Sequence, residues 1–133
     1  MLIYFDSVIP IYLLDQTGSF NARATARLTA LEAARDQIAV SDLVRLECRV
    51  KPLKIGDVVK LAAFDSFFVR PDVRLLPLST TVYDRATLIR ATHNFKLADS
   101  LHLAAAVEGG CDRLLTNDTR LSGFPDIFVE VLP

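Results

Sequence analysis

The sequence predicts an α/β protein of three layers, in which helices cover both faces of a mostly parallel central sheet of about five strands. Short apolar segments rich in β-branched and aromatic residues alternate with longer segments that have helical periodicity. Strands separated by helices pair in parallel, because each connection returns the chain to the same edge of the sheet. With 133 residues, of which 51% are hydrophobic, the chain has the size of one packed core, and we expect residues 1–133 to form a single domain.

The first half of the chain predicts two strands and four helices. Pro10 is compatible with a helix only because it falls within the first turn. Ser41 is placed to cap the helix that follows the second strand, and we expect Pro52 together with Gly56 to close that helix. In order, the elements are the strand LIYF, the helices SVIPIYLLD and ARATARLTALEAARD, the strand QIAV, and the helices DLVRLECRV and DVVKLAAFDSFF.

The second half continues the alternation of strands and helices. A glycine pair, Gly109 and Gly110, stops the last helix. We find no internal repeat, low-complexity tract or linker. The elements are the strand VRLLPL, the helices TTVYDRATLIRATH and LADSLHLAAAVEGG, and the strands DRLLT and DIFVEVL.

Composition excludes several classes of protein. The two cysteines, Cys48 and Cys111, form neither a disulfide framework nor a CxxC pair, so we interpret them as packing residues. No apolar run approaches the roughly 18 residues of a membrane span, and the N-terminus lacks the basic start and cleavage site of a secretory signal. We therefore expect a soluble, cytoplasmic protein with no membrane partner. The net charge of −1 restricts any nucleic-acid contact to a local basic patch.

Four acidic residues are predicted to lie at one edge of the sheet. Asp6 and Asp118 each follow a strand, and Asp99 begins a helix that runs antiparallel to the strand after it. Glu47 lies in the second turn of the helix after the second strand. Loops and helix ends meet at the carboxyl edge of a parallel sheet, which is where such folds bind ligands.

Clustered carboxylates without a counter-ion are unfavourable, because each raises the pKa of the others. Oxygen ligands without clustered His or Cys favour Mg²⁺ or Mn²⁺. One or two such ions catalyse phosphodiester hydrolysis in proteins, because a bound ion activates a water molecule as the nucleophile. Ser7 and Thr116, near two of the acids, are predicted to orient the carboxylates through their hydroxyl groups.

With these residues in place, the chain resembles the PIN-domain nucleases, and in particular the VapC-type toxins of toxin–antitoxin pairs. The resemblance rests on three segments in this order and spacing: IYFDSVIPIYLL, AVSDLVRLECRVKPLKIGD and LIRATHNFKLADSLHLAAAVEGGCDRLLTND. A departure is Val8, which stands where a small or polar residue is common. Ser7 keeps the hydroxyl that follows the first acid.

The resemblance implies a fold, a site and partners. Asp6, Glu47, Asp99 and Asp118 match the family's acidic quartet, which holds Mg²⁺ or Mn²⁺ and cleaves single-stranded or looped RNA, often tRNA or ribosomal RNA. It also implies a homodimer and a small VapB-like antitoxin that inserts into the active-site groove.

Other residues have two interpretations. The basic residues that surround the acids are candidates for RNA contact or simply a solvated face, namely Arg45, Arg49, Lys51, Lys96 and Arg120. The apolar residues Ile11, Leu14, Leu28 and Leu31 supply either the antitoxin groove or the core. We do not assign His102 a catalytic role, because metal-activated water needs no general base, and we interpret His93 as a solvent-facing or helix-end residue.

Three alternatives remain. A catalytically silent PIN-fold module that binds RNA or protein would normally lack one of the acids. A phospho-acceptor receiver domain would have adjacent acids after the first strand and a lysine after the last. A phosphatase with an aspartate nucleophile would have a second Asp at position 8, where this chain has Val8.

Overall fold

The central sheet has five strands, all parallel, in the order β3-β2-β1-β4-β5. The computed structural model describes all of residues 1–133. It confirms the predicted fold class, and the sheet is wholly rather than mostly parallel. The strands are β1 Leu2–Phe5, β2 Gln37–Ser41, β3 Val73–Leu76, β4 Arg113–Thr116 and β5 Phe128–Val131.

Six helices connect these strands. Because parallel crossovers are right-handed, connections that advance from β1 towards β3 cover one face of the sheet, and the connection back to β4 covers the other. Helices α1 to α4 therefore lie on one face, and α5 and α6 lie on the opposite face. The helices are α1 Val8–Leu14, α2 Asn21–Ala33, α3 Asp42–Ile55, α4 Val58–Phe68, α5 Thr80–His93 and α6 Leu97–Glu108. None is long and apolar enough to cross a membrane.

The core explains why the strands are so apolar. The three central strands are buried on both faces, so Tyr4, Ile38 and Leu114 are inaccessible to solvent. Helix α6 is buried along its whole inner length, from Ser100 to Ala106. An element buried all round carries few polar side chains, and those that it does carry need partners within the protein.

Two details of α3 differ from the expectation. The helix continues through Pro52, which is buried, and ends only at Gly56, whose φ of 71° suits the residue after a helix. Packing thus overrides the usual effect of proline inside a helix. Ser41 precedes the helix as expected, but its hydroxyl makes no capping bond and contacts Tyr4 instead.

Candidate active site at the carboxyl edge of the sheet

The carboxyl edge of the sheet has a crevice between β1 and β4. The chain leaves β1 towards β2 and leaves β4 towards β5, on the other side, so the two loops diverge. This is the switch point at which doubly wound sheets bind ligands. Asp6 follows β1 and Asp118 follows β4, so the strand order places both acids at the crevice.

Asp6 is held firmly in the floor of this crevice. Its backbone amide donates to the carbonyl oxygen of Leu115, which continues the pairing of β1 with β4. Its Oδ1 accepts from the backbone amide of Ser7 at 2.7 Å, and its Oδ2 accepts from the hydroxyl of Thr116 at 2.7 Å. Thr116 Oγ1 also accepts from the amide of Asp118 at 3.1 Å, so one hydroxyl links two of the acids.

Asp99, in the first turn of α6, faces two of the other acids. Burial, then the negative charges of Asp6 and Asp118, raise its pKa. Its carboxylate makes no hydrogen bond of its own within the chain. Asp99 thus has the environment that favours a bound cation, because a positive charge would relieve both the burial and the repulsion.

Asp118 is paired with a cation of the same chain. Its side chain accepts from the amide of Arg120 at 2.9 Å and caps a short 3₁₀ turn, Thr119–Leu121. The Arg120 guanidinium bonds both carboxylate oxygens, with Nη2 at 2.5 Å from Oδ2, and this pairing lowers the pKa of Asp118. The same Nη2 lies 3.9 Å from Asp99. Arg120 therefore sits over two of the four acids.

Glu47 reaches the crevice from α3 and meets a histidine there. Its Oε1 accepts from the Ser7 hydroxyl at 2.6 Å and lies 2.6 Å from Nε2 of His102. Burial opposes ionisation, but the hydrogen bonds from His102 and Ser7 hold the pKa of Glu47 below its usual value. His102 is only 2% exposed, and its Nε2 is 3.7 Å from Asp6 Oδ1.

The structure places His102 among the acids, a position that the sequence analysis did not predict. It lies one helical turn after Asp99, so both side chains point towards the same edge. A signal for it was present: His102 stands between Leu101 and Leu103 in a helix without other titratable side chains on its buried side. A buried polar group in such a helix requires a partner, and Glu47 provides it.

The predicted basic residues divide into two groups. Arg45 pairs with Asp42 at 2.8 Å, Arg49 with Asp65 at 3.0 Å, and Arg120 with Asp118, whereas Lys51 and Lys96 are exposed and outside any ion pair. Of these five residues, only the two lysines therefore carry a positive charge that is free to meet a phosphate.

A groove of about 250 Å³ between α1, α3 and α4 opens beside the acids. Its lining includes Ile11, Glu47, Lys51, Ile55 and Phe64. Of the apolar residues predicted for an antitoxin groove, Ile11 lies here. Leu31 is fully buried in the hydrophobic core, so of its two interpretations the core one is confirmed.

Fold and candidate site together define an α/β protein whose clustered acids lie at the carboxyl edge of a parallel sheet, the edge at which such folds bind ligands. More particularly, the chain belongs to the PIN domain family, whose family model matches residues 3–127. The sequence matches no curated protein.

Solved structures of the same fold cover nearly the whole chain. VapBC2 from Rickettsia felis, bound to a DNA fragment from its promoter, is 17% identical with a TM-score of 0.82, and 100% of each chain is covered. A toxin–antitoxin complex from Klebsiella pneumoniae is 23% identical with a TM-score of 0.74, and 98% of each chain is covered. Mycobacterium tuberculosis VapC20, described as a sarcin–ricin loop cleaving toxin, is 18% identical with a TM-score of 0.78, and the match covers 98% of this chain and 99% of VapC20.

The donor set fits a hard divalent cation. Glu47 Oε2 and the Asp99 carboxylate make no hydrogen bonds within the chain, and the acids offer oxygen ligands of the kind that Mg²⁺ and Mn²⁺ prefer. No three of these side chains already stand close enough together to hold an ion. In addition, the Arg120 guanidinium occupies both oxygens of Asp118.

Proposed function

We propose that this chain is an endoribonuclease that depends on Mg²⁺ or Mn²⁺ and acts as the toxin of a VapBC-type pair. The observation that carries the proposal is that Asp6, Asp99 and Asp118 face one another at the switch point of a PIN fold. They lie near enough for the charges of Asp6 and Asp118 to raise the pKa of Asp99, although no three of the acids yet stand close enough to hold an ion. Glu47 adds a fourth carboxylate from α3.

In this proposal the protein's own residues hold the metal ions, orient the carboxylates and bind the RNA. Asp6, Glu47, Asp99 and Asp118 would hold one or two ions, which supply water activation and stabilise the leaving oxygen when bound. Thr116 and the Ser7 amide fix the carboxylate of Asp6, and the Ser7 hydroxyl fixes that of Glu47. Lys51 and Lys96 would bind the RNA backbone, and Arg120, once it leaves Asp118, would join them.

The substrate class that we propose is single-stranded or looped RNA, including tRNA and ribosomal RNA. A deciding experiment incubates purified protein, freed of any partner, with a mixed RNA pool containing tRNA and a sarcin–ricin stem–loop. Magnesium, manganese and chelator arms are compared for the wild type and Asp99→Asn. The matched control is Asp84→Asn, which removes the same charge from an exposed position on α5.

We expect metal-dependent cleavage by the wild type and by Asp84→Asn, and a loss of at least a hundredfold in Asp99→Asn, in line with removal of one electrostatic group from a catalytic site. Equal cleavage by Asp99→Asn would contradict the proposal. A folded wild type that binds RNA without cutting any of the pool would instead favour the catalytically silent module.

We further propose two protein partners. An antitoxin segment would occupy the groove beside Glu47 and place a basic side chain on the acids, where Arg120 already shows that a guanidinium fits.

A second copy of the chain would cover the apolar stripe of Leu46, Val50 and Leu53 on α3, all of which are at least half exposed. Sedimentation of the wild type and of Leu53→Glu tests the dimer, which the charged variant should dissociate without loss of fold.

A further inference from the structure

A buried chain of hydrogen bonds ends on Glu47. Tyr4, inaccessible to solvent in the centre of β1, places its hydroxyl 2.8 Å from Ser41 Oγ and 2.8 Å from His102 Nδ1. The other ring nitrogen, Nε2, is 2.6 Å from Glu47 Oε1. Strands β1 and β2 and helices α3 and α6 are thereby joined by polar contacts inside an otherwise apolar core.

We propose that His102 is a positioning residue for Glu47, set in one tautomer by Tyr4 and Ser41, so that Glu47 Oε2 is kept available for a metal ion. This inference rests on the proposed function, because it assigns Glu47 a place among the ligands. The inference adds His102, Tyr4 and Ser41 to the site as residues that would contact neither the ion nor the RNA.

The directions of the hydrogen bonds follow from the inventory of protons. An ionised carboxylate can only accept, so Nε2 of His102 carries the proton that it donates to Glu47. In the neutral ring Nδ1 then accepts, and Tyr4 donates to it. Ser41 Oγ has no other side-chain partner, and its hydroxyl donates to the Tyr4 oxygen. Each donor hydrogen in this series of hydrogen bonds therefore has an acceptor, and every bond is directed towards Glu47.

The same contacts give the two carboxylate oxygens of Glu47 different environments. Oε1 accepts from both Ser7 and His102, and Ser7 Oγ and His102 Nε2 lie 3.4 Å from each other, so that oxygen is enclosed on two sides. Oε2 has no hydrogen bond within the chain. A glutamate has several rotatable bonds, and two short contacts on one oxygen fix where the other lies. Removal of such an outer partner typically lowers metal affinity or activity by about 10- to 100-fold.

A buried histidine that merely fills space would predict something different. Its replacement by an apolar residue of similar size would alter the free energy of unfolding but not the affinity of the folded protein for a metal ion. Metal affinity, measured without RNA, therefore separates a positioning role from a packing role.

The experiment measures the Mn²⁺ dissociation constant of the full chain by isothermal titration calorimetry, with no RNA present. His102→Leu keeps the bulk but removes both nitrogens, and His102→Gln restores an N–H donor near the position of Nε2. We expect affinity to fall by about tenfold or more in His102→Leu and to recover to within a few-fold of the wild type in His102→Gln. Ser100→Ala, an equally buried change on the same helix at a hydroxyl without a partner, is the matched control and should leave affinity unchanged.

The tautomer is tested separately by long-range proton–nitrogen NMR of the His102 ring in the metal-free wild type and in Tyr4→Phe. We expect the Nε2–H form in the wild type, and a mixture of tautomers with a smaller loss of Mn²⁺ affinity in Tyr4→Phe. A wild-type ring protonated only on Nδ1 would overturn the proposal, as would unchanged Mn²⁺ affinity in folded His102→Leu. Should His102→Leu fail to fold, the wild-type spectrum and Tyr4→Phe still decide.

Failure of the inference is distinguishable from failure of the proposed function. If the wild type binds no Mn²⁺ at all, the acids are not a metal site and the proposed function falls. If the wild type binds Mn²⁺ and all the His102 variants bind it equally, the metal site stands and only the role of His102 is refuted.

Discussion

Arg120 competes with any metal ion for Asp118. Its guanidinium bonds both carboxylate oxygens of that residue and also lies near Asp99. Because the side chain is 61% exposed, it is free to swing away into solvent or onto a phosphate. We expect Arg120→Gln to bind Mn²⁺ severalfold more tightly than the wild type, since a repelling charge is gone, and to bind RNA more weakly.

Calorimetry with Mn²⁺ alone and anisotropy of labelled RNA measure these two effects separately. Arg45→Gln, which breaks an exposed pair on α3 away from Asp118, serves as the control and should not alter metal affinity. Metal affinity that falls in Arg120→Gln would show that Arg120 helps to assemble the cluster rather than competing for it.

Ser100 and Ser41 make a second comparison between single residues. Both are fully buried, but the Ser100 hydroxyl has no partner, whereas Ser41 bonds Tyr4. An unsatisfied buried hydroxyl is destabilising, and alanine also suits the interior of a helix. We expect urea denaturation to show a gain of about 1 kcal/mol in Ser100→Ala and a loss of about 1 kcal/mol in Ser41→Ala. Equal changes in both variants would mean that the hydrogen bond to Tyr4 contributes nothing.

At the scale of elements, ion pairs of Glu130 connect the edge strand β5 to α2 and β4. Glu130 accepts from Arg27 on α2 at 2.6 Å and from Arg113 on β4 at 3.0 Å, and its side chain is 18% exposed. We expect Glu130→Gln to lower the free energy of unfolding by about 2 kcal/mol at neutral pH, because it leaves two guanidinium groups without their anion. Glu32→Gln, in an exposed pair with Arg70, should change it by less than about 1 kcal/mol.

The same contact predicts a pH dependence. Burial by itself would raise the pKa of Glu130, but the hydrogen bonds from Arg27 and Arg113 hold that pKa below its usual value. A carboxylate with a lower pKa in the folded state stabilises the fold fully above its unfolded pKa of about 4.3, and this stabilisation is lost as the pH falls through the folded value. The difference between the wild type and Glu130→Gln should therefore shrink between pH 5 and pH 3 or below. A difference that is constant over this range would contradict the assignment.

A feature of the fold or of the site was predictable where the local sequence determines it, and was not predictable where it depends on contacts between elements distant in sequence. Asp6 and Asp118 could be placed because the end of a parallel strand defines their position directly. The pairing of Glu47 with His102 could not, since it depends on how α3 and α6 approach each other around the edge of the sheet. Pro52 continued a helix, and Leu31 entered the core, for the same reason: tertiary packing decided what local propensity left open.

If the protein binds RNA as proposed, the near-neutral charge of the whole molecule makes that recognition a local property. The chain carries 15 basic and 16 acidic residues, so no general field draws RNA to it. The free energy of binding must come from a small number of phosphate contacts near the crevice, together with any contacts to bases. The arrangement of ion pairs on this surface therefore determines how binding responds to salt.

Three of the five candidate RNA-contacting residues already have a carboxylate partner, and only Lys51 and Lys96 are free. A phosphate that replaces a carboxylate on an arginine releases fewer counterions than one that meets a free lysine. For single-stranded RNA we therefore expect log Kobs to fall against log salt with a slope of about −1.4, the value for two contacts, rather than the −3.5 of five. Anisotropy titrations of the Asp99→Asn variant at constant Mg²⁺ measure this slope without cleavage. A double variant, Lys51→Gln with Lys96→Gln, should bring the slope close to zero, and a slope that remains steep in that variant would place the phosphate contacts elsewhere.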